Sequence, residues 1–176
     1  MVILEILKYT LPSVIVFLTA YFILKQQIQK ELLKEERDEA KARREKTNET
    51  LLPIKMQAYE RLTLFMERIH PHQLILRNSK NGLNTIQFQS LLIKSIRDEF
   101  EHNLSQQLYV SEKAWLQVQN AKEQCIKQIN FASSKLNSEA SATELGSLVI
   151  QQYSQLTPSP IQEAIKQLKS DIRKGL

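Results

Sequence analysis

Residues 54–70 read IKMQAYERLTLFMERIH, and this stretch decides the fold class. Its apolar side chains recur at intervals of three and four residues, which places them within one third of a helix circumference. These side chains are Tyr59, Leu62, Phe65, Met66 and Ile69. Charged residues such as Glu60, Arg61 and Glu67 lie elsewhere on the same helix. The stretch therefore predicts an amphipathic helix with one buried face, as in a packed helical domain.

The remainder of the chain supports an all-α fold. Its 176 residues include only three glycines and five prolines, and straight-chain helix formers are abundant. Apolar stripes and start signals predict four more helices, at about 85–108, 111–136, 141–155 and 159–172. Residues 71–84 are rich in Pro, Asn, Ser and Gly and are predicted to form a turn. We therefore expect a globular bundle of about four to five helices over residues 51–176.

Two details of these helices can be checked directly. Apolar residues repeat every four positions in the second helix, which predicts one row of packed side chains: Leu92, Ile96, Phe100, Leu104 and Leu108. In the third helix, the single cysteine, Cys125, falls on the apolar stripe. It is therefore predicted to be a small buried core residue and not a reactive thiol.

Residues 1–24 are predicted to be a transmembrane anchor that contacts the lipid bilayer. Residues 11–24 read LPSVIVFLTAYFIL without a charge, and the ten residues before them are interrupted only by Glu5 and Lys8. A helix of about 24 residues is roughly 36 Å long, which exceeds a hydrocarbon layer of about 30 Å. No small-residue cleavage site follows the run before Lys25, so a cleaved signal peptide is disfavoured.

Charge asymmetry predicts the orientation. Only Lys8 and the α-amino group precede the span, whereas seven basic residues lie within residues 25–44. Basic flanking residues favour the cytoplasmic side. We therefore expect a single-pass protein of a bacterial inner membrane, with its N-terminus outside and its C-terminal domain in the cytoplasm.

Residues 25–50 are predicted to be a charged helical connector. Acidic and basic residues interleave here, and pairs such as Glu39 and Arg43 stand four positions apart, which supports a solvated helix. After Leu32 and Leu33 only alanines continue the apolar pattern, so no heptad seam is predicted. The connector is interpreted as a stalk or as a polar helix near the headgroups.

The sequence lacks the motifs of an enzyme. No phosphate-binding glycine loop or nucleophile elbow is present, so neither catalysis nor a cofactor is expected. No aromatic residues interleave with a basic run, which disfavours nucleic acid as a partner. His70 and His72 could bind a metal together with His102, but the intervening Pro71 disrupts helical presentation. A solvated interhelical turn is the favoured interpretation of these histidines.

Two stretches resemble a known family. They are LPIKMQAYERL at residues 52–62, continuing to Arg68 and Ile69, and EFEHNLSQQLYVS at residues 99–111, followed by Ala114 and Trp115. Both are similar to an uncharacterised family of short Bacteroidota proteins. The resemblance covers most of the chain after about residue 50. It implies an N-terminal membrane helix and a helical cytoplasmic domain, and it carries over no activity and no catalytic residue.

The leading functional prediction is a membrane-tethered scaffold or adaptor that binds a protein partner and catalyses nothing. Arg77, Tyr109 and Phe131 are the candidate contacts, with burial inside the domain as the alternative for each. A second hypothesis is a stator-like stalk resembling the b subunit of rotary ATP synthases, although an interruption at Pro53 and the turns after His70 would argue against it, because such a stalk needs one long uninterrupted helix. A third is a small-ligand or metal sensor at the histidines. Homo-oligomerisation stays open.

Overall fold

The computed structural model describes the backbone of residues 2–79 and 82–175 and the side chains of residues 15–79 and 82–174. These residues form six α-helices and no strand, so the all-α prediction is confirmed. The helices are α1 (Val2–Ile69), α2 (Pro71–Asn78), α3 (Thr85–His102), α4 (Glu112–Ser133), α5 (Ala142–Ser154) and α6 (Pro160–Gly175). A short 3-10 helix, η1, covers Leu104–Leu108.

The chain divides into two compact units, Met1–Leu51 and Leu52–Leu176. In the first unit, Arg43 and Glu39 form an exposed ion pair at 3.4 Å, one helical turn apart. Where side chains are described, no helix carries an apolar segment of the length needed to cross a bilayer. The first 14 residues of the predicted anchor at 1–24 lie outside that part of the chain.

The predicted interruption at Pro53 is wrong. Helix α1 runs without a break to Ile69, although proline lacks the N–H that would bond to the carbonyl of Glu49. The sequence on each side of the proline supports a helix: Glu39 and Arg43 pair one turn apart before it, and the predicted stripe from Tyr59 to Ile69 is buried beyond it. The proline therefore removes one backbone hydrogen bond, at a cost of roughly 3 kcal/mol, without ending the helix.

The predicted turn at residues 71–84 is also partly wrong, because Pro71–Asn78 form helix α2. Proline is favourable at the first helical position, where its missing N–H would have no partner. Leu74 is buried and anchors the short helix in the core. At the C-terminal end, the Asn78 Nδ2 donates to the carbonyl of Leu74 at 2.8 Å. Asn81, part of the predicted turn, lies outside the described residues.

The row predicted for residues 92–108 holds only in its first half. Leu92 and Ile96 are fully buried, but Leu104 is 43% exposed and Leu108 is 77% exposed. The helix ends at His102 because Asn103 caps it, with the side-chain Nδ2 donating to the carbonyl of Glu99 at 2.8 Å. The chain then turns into η1, which directs Leu108 toward solvent.

The core of the second unit surrounds α4, which packs against α3, α5 and α6. Its predicted apolar stripe is buried from Trp115 to Ala132, including Cys125 at 1% exposure, whereas Leu136 lies beyond the end of α4 and is half-buried. Burial raises the pKa of the Cys125 thiol to about 12, so this thiol stays protonated at neutral pH. Nearby, the Phe100 ring stacks on Trp115 at 5.4 Å between ring centroids, and the Lys122 Nζ lies 4.1 Å from the centroid of the Phe100 ring.

Helices α3 and α5 begin side by side. Asn84 caps α3 in a capping box with Gln87, and the Ser141 hydroxyl caps α5 by accepting from the Glu144 amide. The two starts are joined by backbone bonds, since Thr85 N donates to Ala140 O at 2.9 Å and Ala142 N donates to Leu83 O at 3.2 Å. The termini of two helices far apart in sequence thus satisfy each other's free groups.

Candidate functional site

The candidate site is a cleft of about 380 Å³ within the second unit, here called the Tyr109 cleft. One wall comes from the last part of α1, a second from the segment between η1 and α4, and a third from the end of α6. The lining residues are Leu52, Lys55, Met56, Tyr59, Leu108, Tyr109, Val110, Ser111, Asp171 and Ile172.

The polar groups of the Tyr109 cleft are already paired. The Ser111 hydroxyl donates to the Asp171 Oδ2 and accepts from the Ala114 amide at 3.1 Å, so it caps α4 and ties that cap to α6. The Asp171 Oδ1 accepts from the Gln167 Nε2 at 2.7 Å. Because the Ser111 hydroxyl uses its O–H toward Asp171 and a lone pair toward the Ala114 amide, the hydroxyl and carboxylate act as a structural clamp. This arrangement gives no activated nucleophile.

Tyr59 lines the cleft and is only 8% exposed. Burial raises the pKa of its phenol, a hydrogen bond to the Ser111 backbone opposes that shift, and the Asp171 charge adds to it. The phenol therefore remains neutral at physiological pH. It presents an aromatic face together with a single polar edge.

The rim of the Tyr109 cleft is apolar and exposed. Leu108 is 77% exposed, Tyr109 is 36% exposed and Leu52 is 38% exposed. This exposure follows from the sequence EFEHNLSQQLYVS at 99–111, which supplies the Asn103 cap, the η1 turn and the Ser111 cap. The motif thus holds an apolar tip beside a cavity, and exposed apolar clusters of this kind mark interaction sites.

The three predicted contact residues lie apart from one another. Tyr109 lines the cleft, Arg77 is exposed in the last turn of α2, and Phe131 is 50% exposed on α4. The Lys135 Nζ lies 4.2 Å from the centroid of the Phe131 ring. None of the three is buried inside the domain.

The histidines are not gathered into one site. His70 and His72 line a second cavity of about 500 Å³ next to Tyr153 and Ser159. Burial lowers the pKa of His70. The charge of Glu67 opposes this shift, and that of His72 adds to it. His102 lies on α3, where its Nδ1 is 2.6 Å from the carbonyl oxygen of Asp98. In the part of the chain that the structure describes, no three His, Cys, Asp or Glu side chains group to hold a metal.

The sequence prediction missed Leu108, the most exposed of the large apolar residues that line the site, because a four-residue repeat placed it in the core. A usable signal was present in Asn103, since asparagine commonly ends helices. The approach of Asp171 to Ser111 has no comparable signal, because the two lie far apart in the sequence.

Comparison with known proteins gives a family and no activity. A family of unknown function (DUF7935) matches residues 1–175. No curated protein matches the chain, and neither does any solved structure. The function therefore has to be inferred from the geometry of the chain itself.

Proposed function

We propose a function for this chain, which belongs to the family of unknown function DUF7935. The protein acts as a membrane-tethered, non-enzymatic adaptor that binds a protein partner at the cytoplasmic face of a bacterial inner membrane. The observation that carries the proposal is the exposed apolar rim of the Tyr109 cleft. We also propose that the protein comes from a member of the Bacteroidota.

The geometry of the Tyr109 cleft suits a protein partner. A cavity of about 380 Å³ accommodates one or two apolar side chains from another protein surface. Leu108 and Tyr109 stand beside it and would bury their apolar area on binding. Because Ser111 and Asp171 are already hydrogen-bonded to each other, an apolar side chain can enter without leaving them unpaired.

The membrane tether is supported by the uncharged N-terminal sequence and by the exposure of its apolar side chains. Residues 11–24 contain no charge. The large apolar side chains of residues 15–24 are all more than half exposed, with the lowest exposure at Ile15 (53%) and the highest at Phe17 (73%). A lipid environment would cover them, and the basic residues of 25–44 would hold the following segment on the cytoplasmic side.

A reporter fused after Leu176 tests the tether and its orientation. We expect the fusion to be active in the cytoplasm, inactive in the periplasm, and retained in the membrane fraction after alkaline extraction. Deletion of residues 1–24 should release the fusion into the soluble fraction. Periplasmic activity, or extraction of the intact chain, would contradict this part of the proposal.

Binding at the cleft is tested by placing a photo-crosslinking amino acid at position 108 of the full chain in native membranes. We expect a discrete crosslinked partner, with capture reduced about tenfold or more when the rim residue Leu52 is changed to Asp in the same chain, because a charge replaces an apolar contact worth roughly 1.5–3 kcal/mol. Position 76 is the matched control, since Leu76 is 67% exposed on α2 and lies outside the cleft.

The controls decide how the crosslinks are interpreted. Leu52→Asp and Leu76→Asp should both keep the circular dichroism and melting temperature of the unmodified chain, because both leucines are exposed. If positions 108 and 76 capture the same proteins in the same yield, the cleft is not a specific site.

A stator-like stalk is the second candidate, and one observation favours it. Helix α1 passes through Pro53 without a break, which removes one of the two objections raised by the sequence. The other objection stands, because α1 ends at Ile69 and separate helices follow. A stalk would contact its complex through the charged segment 25–50. Crosslinks from position 33, where Leu33 is 55% exposed, without any from position 108 would favour the stalk over the adaptor.

A further inference from the structure

We propose that α4 and α5 carry a second binding site, a groove that holds an extended acidic peptide segment of a protein partner through main-chain hydrogen bonds to Gln152. The groove has a volume of about 720 Å³. Residues used in the argument are Lys127, Phe131, Lys135, Gln152 and Leu156. None of them lines the Tyr109 cleft, so the proposal goes beyond the function described above and can fail separately from it.

The amide of Gln152 is the unusual feature of this groove. The residue is 9% exposed, and both its Nε2 and its Oε1 are enclosed without a hydrogen-bond partner among the described residues. Enclosed polar groups are nearly always hydrogen-bonded, because an unpaired one destabilises the folded chain. Such a group in the wall of a groove indicates a site for a ligand that pairs with it.

The pairing capacity of Gln152 points to a peptide. Its side chain offers a donor and an acceptor together, and a main-chain peptide group offers the complementary acceptor and donor. Rotation about the side-chain torsions of Gln152 would present both atoms to a strand lying in the groove. A lipid phosphate offers acceptors alone and would leave the Oε1 unpaired.

Charge determines which peptide fits. Lys127 and Lys135 lie in the wall, which contains no carboxylate, and neither lysine forms an ion pair within the described part of the chain. The Phe131 ring is 50% exposed and gives an apolar platform beside the Lys135 Nζ. The expected ligand therefore combines Asp or Glu side chains with an apolar side chain that rests on Phe131.

The test is a selection from a random dodecapeptide phage library on the full chain in lipid nanodiscs. Peptides enriched by the unmodified chain should be rich in Asp and Glu. They should bind Gln152→Met with a dissociation constant roughly tenfold higher, because methionine cannot form the hydrogen bonds that the Gln152 amide makes with the peptide main chain. Gln151→Met is the matched control, because Gln151 is exposed on α5 and does not line the groove.

Two further measurements complete the design. The double substitution Lys127→Glu and Lys135→Glu should shift the selected peptides from acidic to basic. The substitution Gln152→Met alone should raise the melting temperature by about 2–4 °C, because it removes an unpaired amide at nearly constant volume.

Any of three results overturns the proposal. Peptides that show no acidic enrichment, or that bind Gln152→Met and the unmodified chain equally, show that the groove does not recognise an acidic main chain. A lowered melting temperature of Gln152→Met shows that the amide has an internal partner, which removes the premise.

Discussion

Replacing Phe65 by alanine is expected to lower the free energy of unfolding by about 3–5 kcal/mol, the range for removing a buried aromatic ring. Phe65 is fully buried, and its ring centroid lies 5.8 Å from that of Phe100. Phe100 in turn stacks on Trp115, so the three rings connect α1, α3 and α4. Truncation would leave a cavity at the junction of these helices, and the stiff rings around it could fill the space only in part.

Urea unfolding of the full chain in detergent micelles measures this effect. Circular dichroism follows the helices, and the fluorescence of Trp115, the only tryptophan, follows the aromatic cluster. Phe131→Ala is the matched control and should change the free energy of unfolding by no more than about 0.5 kcal/mol, because that ring is half-exposed. Equal losses for the two variants would mean that Phe65 does not occupy the core.

Replacing Gly146 by leucine is expected to lower the free energy of unfolding by about 3 kcal/mol through overpacking. A Cβ at this position would lie 3.0 Å from the Ile75 Cγ2 and 3.8 Å from the Phe88 Cε1. The first distance is tighter than an ordinary contact, and the leucine methyl groups extend farther. Glycine is therefore needed for the close approach of α2 to α5, although it weakens the helix itself.

A double-mutant cycle with Ile75→Ala tests the cause. Removing the Ile75 branches makes room at Gly146. The double variant should therefore lose less free energy of unfolding than the sum of the two single losses, by at least about 1 kcal/mol. Urea unfolding of the four chains gives this coupling energy. Additive losses would show that Gly146→Leu acts through some contact other than the one with Ile75.

Local signals predicted much of the fold. The apolar stripes of α1 and α4 and the start of α6 at Ser159 and Pro160 follow from periodicity and capping chemistry, which depend on neighbouring residues only. Helix α2 could not be predicted this way. Its eight residues are too few for a periodic pattern, and burial of Leu74 by the rest of the domain stabilises it.

The candidate sites were less predictable than the helices. Tyr109 and Phe131 were named from residue type and both are exposed, but the cavities beside them arise from contacts between distant segments. Ser111 meets Asp171 from another helix, and Gln152 faces a groove that α4 completes. A one-dimensional pattern reports which face of a helix is apolar. It does not report which faces leave space between them.

The joined starts of α3 and α5 couple the opening of two helices. A helix end ordinarily frays by itself, on a timescale set by its own first turn. Here the amide of Thr85 is bonded to the residue before the cap of α5, and the amide of Ala142 to the residue before the cap of α3. Neither amide can exchange its proton with water until both starts separate. The two starts therefore open in one event, and we expect hydrogen exchange of these two amides to report the same free energy of opening.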